Sequence, residues 1–212
     1  MTAQVRGTGS VRIVSGKWRR SVIAVPVAEG LRPTSERVRE TVFDWLTHLF
    51  GTLDGCAVLD MFAGSGAMGF EAASRGADIV HWVDVNKQGI AGIQAGLKRL
   101  GADANKKAFV SDAFRFLQQG KAPYDLIFID PPFSLDLQEK AVASAKEAIG
   151  DEGLLYVESP QTLLSEDVLG KLNLVRVRSG SAGAVRFELL AKAGSSMAGL
   201  AKLSKEEKRR KK

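Results

Sequence analysis

The residues Ala57-Val58-Leu59-Asp60-Met61-Phe62-Ala63-Gly64-Ser65-Gly66 decide the fold of this 212-residue chain. The apolar start favours a buried strand that ends at Asp60, and the glycine-rich remainder is typical of a tight loop that opens a helix. Glycines are needed where the backbone turns sharply and lies flat against a ligand. Asp84 ends the next apolar run, 20 residues beyond Gly64, where its carboxylate can hold ribose hydroxyls. The stretch therefore predicts a nucleotide-binding strand, loop and helix.

Short apolar strands alternate with helical segments through most of the chain. The predicted strands are 57–60, 79–84, 108–111, 126–130 and 154–157, with helices near 69–74, 88–100, 114–118 and 137–149. Strands that are apolar on both faces and separated by helices indicate a parallel sheet covered on both sides. Residues 174–178 and 184–190 instead alternate apolar and polar residues around a turn-rich segment. They predict an antiparallel hairpin at the end of the sheet.

A hairpin and a helix are predicted before this sheet. Residues 11–14 and 21–25 read as two short strands, and apolar residues at helical spacing predict a helix from Ser35 to Phe50, ended by Gly51. We expect three parts: an RNA-facing extension at 1–52, a catalytic domain at 53–191, and a basic, disordered tail at 192–212.

Basic charge is concentrated at the two ends of the chain, whose net charge is +6. Residues 1–40 hold eight lysines and arginines against three acids, and residues 202–212 hold seven against two. The middle, residues 41–201, has fifteen against nineteen. This pattern fits a catalytic body with phosphate-binding arms. For the C-terminal run, a solvated tail without a partner is an equal alternative.

Cysteine and histidine are scarce. Cys56 is the single cysteine, which excludes an intramolecular disulfide, and His48 and His81 add no plausible metal-ligand set. The sequence starts without a secretion signal and has no apolar run of membrane-spanning length. We expect no metal and a reducing, cytoplasmic location.

The acids at the strand ends indicate which nucleotide the loop binds. A carboxylate at Asp60 would repel a pyrophosphate but suits the ammonium group of a methionine moiety, and Asp112 could accept a hydrogen bond from an adenine amino group. Alone, Asp112 could equally cap a helix. The set favours S-adenosylmethionine over NAD. The predicted cofactor contacts are Asp60, Phe62, Ala63, Gly64, Ser65, Gly66, Asp84, Asp112 and Ala113.

The fourth strand of the predicted sheet leads into Asp130-Pro131-Pro132-Phe133. Because proline has no N–H, this corner presents acceptors, the Asp130 carboxylate and the Pro131 carbonyl, to the two hydrogens of an exocyclic amine. Phe133 offers a face on which a base can stack. We predict that these four residues are catalytic, through positioning and electrostatics, on a base that is unpaired or flipped out.

A cationic arm is predicted to contact RNA. The cluster at the hairpin turn combines phosphate neutralisation with an indole that could stack, and further arginines precede or begin the helix. The predicted RNA contacts are Lys17, Trp18, Arg19, Arg20, Arg32, Arg37 and Arg39. For Arg37 and Arg39, the alternative is a solvated helix face with ion pairs to Glu40 and Glu36.

The sequence resembles the bacterial methyltransferases that modify guanine N2 in small-subunit ribosomal RNA. The resemblance runs from about Val11 to Leu190, and its segments are 12–19, 30–40, 59–66, 128–133 and 156–159. It implies a Rossmann-like class I methyltransferase with a mostly parallel seven-stranded sheet, a reversed last strand and helices on both faces. It further implies S-adenosylmethionine as donor, a 16S ribosomal RNA assembly intermediate as substrate, and a guanine held by Asp130 to Phe133. We expect a monomer.

Three other functions stay open. The same acceptor corner suits a DNA adenine-N6 or cytosine-N4 methyltransferase, although those enzymes usually carry a separate recognition domain for which this chain has no room. A non-catalytic RNA-binding assembly factor would retain the fold without turnover. An NAD-linked dehydrogenase is opposed by Asp60 and by the lack of an evident proton donor.

Overall fold

The computed structural model describes residues 9–25, 34–120 and 123–201. These residues form two compact units, one that ends at Ala113 and one that begins at Phe114. Within the described residues, no helix combines the length and the apolar character needed to cross a bilayer.

The first unit contains a hairpin, three helices and three parallel strands. Its elements are β1 (Gly9–Arg12), β2 (Val22–Val25), α1 (Glu36–Phe50), β3 (Ala57–Asp60), α2 (Ala67–Ser74), β4 (Ile79–Asp84), α3 (Lys87–Arg99) and β5 (Lys106–Val110). Strands β1 and β2 pair antiparallel, whereas β3, β4 and β5 lie in the order β5-β4-β3 and are parallel. The predicted bounds of β3 and β4 are confirmed, and those of the other elements shift by one to a few residues.

The second unit contains the remaining strands. Its elements are β6 (Tyr124–Ile129), a 3-10 turn (Phe133–Leu135), α5 (Gln138–Lys146), β7 (Ile149–Ser159), α6 (Glu166–Lys171), β8 (Leu174–Ala182) and β9 (Val185–Lys192), and α4 (Ala113–Leu117) starts at the boundary. The strands lie in the order β6-β7-β9-β8. Strand β6 is parallel to β7, and β9 is antiparallel to both of its neighbours. The mostly parallel Rossmann-like arrangement with a reversed last strand is therefore confirmed.

Helix α1 forms as its sequence predicts. The hydroxyl of Ser35 accepts a hydrogen bond from the Val38 N–H, which caps the first turn, and Gly51 ends the helix with φ of 76°. The apolar face, which includes Val42, Phe43 and Leu46, is fully buried.

The loop between β1 and β2 is fixed to the C-terminal half of α2. The buried Glu71 carboxylate accepts hydrogen bonds from the Val14 and Ser15 N–H groups at 2.8 and 3.0 Å. The Lys17 N–H donates to the Ser74 carbonyl at 2.6 Å. The hairpin is thus part of the body of the first unit.

The predicted disorder of the segment after residue 191 is wrong for its described part. Lys192 is the last residue of β9, and its ammonium group donates to the Ile149 carbonyl at 3.0 Å. The Ser196 N–H donates to the Glu152 carboxylate at 2.9 Å, and Ala198 is buried. Contacts with the start of β7, distant in sequence, order this segment. Residues 202–212 lie outside the described part of the chain.

Candidate active site

The glycine loop between β3 and α2 has the sharp turns that its sequence predicts. Gly64 and Gly66 have φ of 49° and 76°, a left-handed region that favours glycine. The Gly66 N–H closes the turn by donating to the Ala63 carbonyl at 2.6 Å, and the Ala63 N–H donates to Val83 in β4 at 3.0 Å. Gly66 then caps α2 without a side chain, so the backbone itself faces the space before the helix.

Trp82 is a part of this site that the sequence prediction missed. Its ring is fully buried in β4, and its Nε1 donates to the Gly66 carbonyl at 3.1 Å. A Cβ at Gly69 would lie 2.2 Å from the same nitrogen. The indole thus packs so closely against α2 that only glycine fits at position 69. Its hydrogen bond to Gly66 also holds the end of the loop.

Asp60, at the end of β3, is a buried carboxylate that accepts the Gly69 N–H at 3.0 Å. Burial raises the pKa of Asp60 to about 7, the Gly69 hydrogen bond opposes this rise, and the negative charge of Asp84 adds to it. Among the described residues, no lysine, arginine or histidine forms an ion pair with Asp60. A buried carboxylate without a protein cation fits a ligand that brings a positive charge.

Asp84, at the end of β4, holds the loop in place. One carboxylate oxygen accepts the Gly64 N–H and the other accepts the Asn86 N–H, both at 2.8 Å. The Asn86 side chain in turn caps α3 by accepting from the Gln88 and Gly89 N–H groups. Because each carboxylate oxygen has a second acceptor position, ribose hydroxyls remain compatible with Asp84.

The end of β5 adds the third predicted acid to the same edge of the first unit. The Ser111 N–H donates to the Asp84 carbonyl at 3.0 Å, which joins the ends of β4 and β5. Asp112 follows and is exposed, whereas Ala113 is buried at the start of α4. The predicted contacts Phe62 and Ser65 are half-buried and buried, respectively.

The Asp130 to Phe133 segment follows β6 in the second unit. Asp130 is half-buried, Pro131 is buried and Pro132 is exposed. The Phe133 ring is 41% exposed at the start of the 3-10 turn. An exposed aromatic ring beside acceptor groups suits stacking against a planar ligand.

Two predicted RNA contacts are wrong. The Trp18 ring is only 7% exposed and lies edge-to-face on Phe70, with centroids 6.5 Å apart, so it is a core residue. Arg39 is 3% exposed, and its guanidinium donates to the Thr34 and Arg12 carbonyls at 2.6 and 2.8 Å. Burial lowers its pKa, while the charges of Glu71, Glu36 and Glu40 oppose this shift.

The other predicted RNA contacts are placed differently. Lys17, Arg19, Arg20 and Arg37 are exposed, whereas Arg32 lies outside the described residues. The hairpin loop docks at the C-terminal half of α2, whereas the glycine loop precedes its first residue. Eight helical residues span about 12 Å, which separates the contact of the hairpin loop with Ser74 from the glycine loop.

The sequence and fold of the chain are similar to those of methyltransferases. The family model described as Conserved hypothetical protein 95 matches residues 11–190. Ribosomal RNA small subunit methyltransferase D of Escherichia coli (strain K12) is 39% identical over 155 residues, which cover 72% of this chain and 76% of that protein. The solved structure of yhhF from Escherichia coli is 35% identical, with a TM-score of 0.74 over 87% of this chain and 98% of that one. Magnesium protoporphyrin IX methyltransferase of Synechocystis PCC 6803, solved with bound S-adenosylmethionine, is 19% identical, covers 74% and 78% of the two chains at a TM-score of 0.61, and shares the fold alone.

Proposed function

This chain belongs to the Conserved hypothetical protein 95 family and is similar to ribosomal RNA small subunit methyltransferase D of Escherichia coli, and we propose that it methylates the exocyclic N2 amine of a guanine in 16S ribosomal RNA. The methyl donor is S-adenosylmethionine. The observation that supports the proposal is the segment after β6, where the half-buried Asp130 is followed by two prolines and by Phe133, whose ring is exposed.

The first unit holds the donor through the glycine loop and its acids. Asp60 pairs with the ammonium group, which supplies a cation that this buried carboxylate does not find among the described residues. Asp84 accepts from the ribose hydroxyls and Asp112 from the adenine amine. The cofactor, when bound, supplies an electrophilic methyl group on a sulfonium.

The second unit holds the amine. The Asp130 carboxylate and the Pro131 carbonyl each accept one N–H of the guanine amine, and Phe133 stacks on the base. Holding both hydrogens directs the nitrogen lone pair out of conjugation with the ring. As the new nitrogen–carbon bond forms and the sulfur–carbon bond breaks, the amine proton becomes acidic and the Asp130 carboxylate can accept it.

The substrate is an RNA whose target guanine is unpaired or flipped out, because a base inside a duplex cannot reach such a corner. Exposed cations of the first unit, Lys17, Arg19, Arg20 and Arg37, bind phosphates, together with Arg32. We infer that the protein acts as a monomer in the cytoplasm, on an assembly intermediate of the small subunit.

Replacing Asp130 by Ala tests the proposal. The variant should lose at least about 100-fold in turnover, since positioning and electrostatic stabilisation are lost together. Its affinity for S-adenosylmethionine, measured by calorimetry, should stay near that of the wild type. Normal turnover, or loss of donor binding with turnover retained at saturating donor, would exclude Asp130 as the group that holds the amine.

A further inference from the structure

Strand β7 brings a second carboxylate beside Asp130. Ile129, the last residue of β6, pairs with Val157 in β7 in parallel register, so Asp130, the residue that follows β6, comes next to Glu158 in β7. Side chains alternate along a strand, and directly opposed residues of adjacent strands stand about 5 Å apart. The two carboxylates therefore lie on the same face of the sheet at its carboxyl edge.

Aromatic contacts support this placement. The rings of Phe128 and Tyr156 meet edge-to-face with centroids 5.8 Å apart, and those of Tyr156 and Phe187 lie 6.4 Å apart. Phe128 and Tyr156 each stand two residues before one of the carboxylates, so the acids share the face of these rings. The charges of both Glu158 and Asp130 act on the Tyr156 hydroxyl.

Glu158 is built into the sheet and is only 7% exposed. The Tyr156 hydroxyl donates to its Oε2 at 2.9 Å, which fixes the orientation of the carboxylate. A carboxylate has about four acceptor positions, so it can accept hydrogen bonds from more than one donor. In the proposed function this carboxylate lies beside Asp130, the group that holds the amine.

We propose that Glu158 recognises the N1–H of the target guanine and thereby selects guanine as the base that is methylated. The inference rests on the proposed function, since it takes Asp130 as the acceptor for the N2 amine. Guanine presents N1–H and the N2 amine side by side on its Watson–Crick edge. Adjacent carboxylates on one face match two adjacent donors, whereas adenine carries an acceptor at N1 and would face Glu158 with a lone pair. Tyr156 acts as a positioning residue that holds Glu158.

The test uses small-subunit RNA that carries either guanosine or 2-aminopurine at the methylated position. 2-Aminopurine keeps the exocyclic amine but has an unprotonated N1. The wild type should prefer guanosine by about 100-fold or more in kcat/KM. With 2-aminopurine, the Glu158 carboxylate would face the unprotonated N1 and would receive no hydrogen bond from the base. Glu158→Gln keeps the shape and an acceptor for Tyr156, and its amide can donate to the N1 of 2-aminopurine.

The variant should therefore lose about 10-fold or more on guanosine while its preference for guanosine shrinks at least 10-fold. Tyr156→Phe, which keeps the carboxylate, should retain the preference and raise KM only modestly. An equal loss on both RNAs, or no loss, would overturn the role of Glu158. Wild-type methylation at guanine N2 in the same assay keeps this failure separate from a failure of the proposed function.

Discussion

At the scale of single residues, Asp60 carries a carboxylate into the interior of the first unit, where no lysine, arginine or histidine of the described residues forms an ion pair with it. Its pKa is about 7 in the folded chain, against an ordinary value of 3.8. Below about pH 4 the group is protonated in both folded and unfolded chains and has no effect. As pH rises from about 4 to 7 only the unfolded chain ionises, so stability falls, and the loss levels off above about pH 7.

Asp60→Asn should therefore stabilise the donor-free protein at pH 8, by up to about 4 kcal/mol, and leave it unchanged near pH 4. The amide oxygen can still accept the Gly69 N–H. The same variant should bind S-adenosylmethionine at least about 10-fold more weakly, and wild-type binding should tighten as pH rises through 7. Denaturant unfolding and calorimetry at several pH values measure both effects. A variant that is less stable at pH 8 would contradict the uncompensated charge.

The placement of acids and glycines at the strand ends could be predicted from the sequence, because such residues commonly stand where a strand leads into a loop. The burial of Trp18 and Arg39 could not. In the sequence, Trp18 resembles an aromatic residue of a binding face and Arg39 a cation of such a face. In the structure, Trp18 packs on Phe70, and Arg39 donates hydrogen bonds to backbone carbonyls, including that of Arg12. Such partners are known only once the hairpin docks on the helices.

At the scale of elements, the loop between β1 and β2 depends on a close backbone approach at Gly16. A Cβ at this position would lie 1.8 Å from the Ser74 carbonyl oxygen, and φ is +81°. Gly16→Ala should destabilise the protein by at least about 2 kcal/mol more than Gly55→Ala, since clash adds to backbone strain. Gly55 is a matched control, with φ of +78° and no atom within 4 Å of its Cβ position. Equal losses in denaturant unfolding would show that the loop does not depend on this contact.

The alternation of strands and helices and the final antiparallel hairpin follow from the sequence, whereas the length of β7 and the presence of α6 do not. Strand β7 spans Ile149–Ser159 and includes the exposed Asp151 and Glu152. Because these residues are charged, the sequence pattern did not predict the first half of the strand. The contacts that Lys192 and Ser196 make with them cannot be seen in the periodicity of apolar residues. Helix α6 is six residues long, too short for a periodic signal. Its cap, the Ser165 hydroxyl that accepts from the Val168 N–H, was its only local mark.

At the scale of the whole molecule, charge divides the chain into a basic start and end around a mildly acidic body.

Replacing Lys17, Arg19 and Arg20 by Ala should weaken RNA binding. The slope of log affinity against log salt concentration should fall by about 2 to 3, because each lost phosphate contact lowers it by roughly 0.7 to 0.9. Because the loop docks at the far half of α2 from the glycine loop, KM should rise while kcat changes little. Lys171→Ala, an exposed cation in α6, should leave the slope unchanged. An unaltered slope in the triple variant would remove the hairpin loop from the RNA contacts.

The mass of the methylated nucleoside is the sharpest test of whether the protein methylates a guanine amine in small-subunit RNA. Small-subunit particles from cells that lack the gene would be incubated with the protein and isotopically labelled S-adenosylmethionine, and their RNA digested to nucleosides. We expect one labelled methyl group per RNA, recovered as N2-methylguanosine, and none with Asp130→Ala. A label found on another atom or base, or transfer to DNA in preference to the particles, would contradict it.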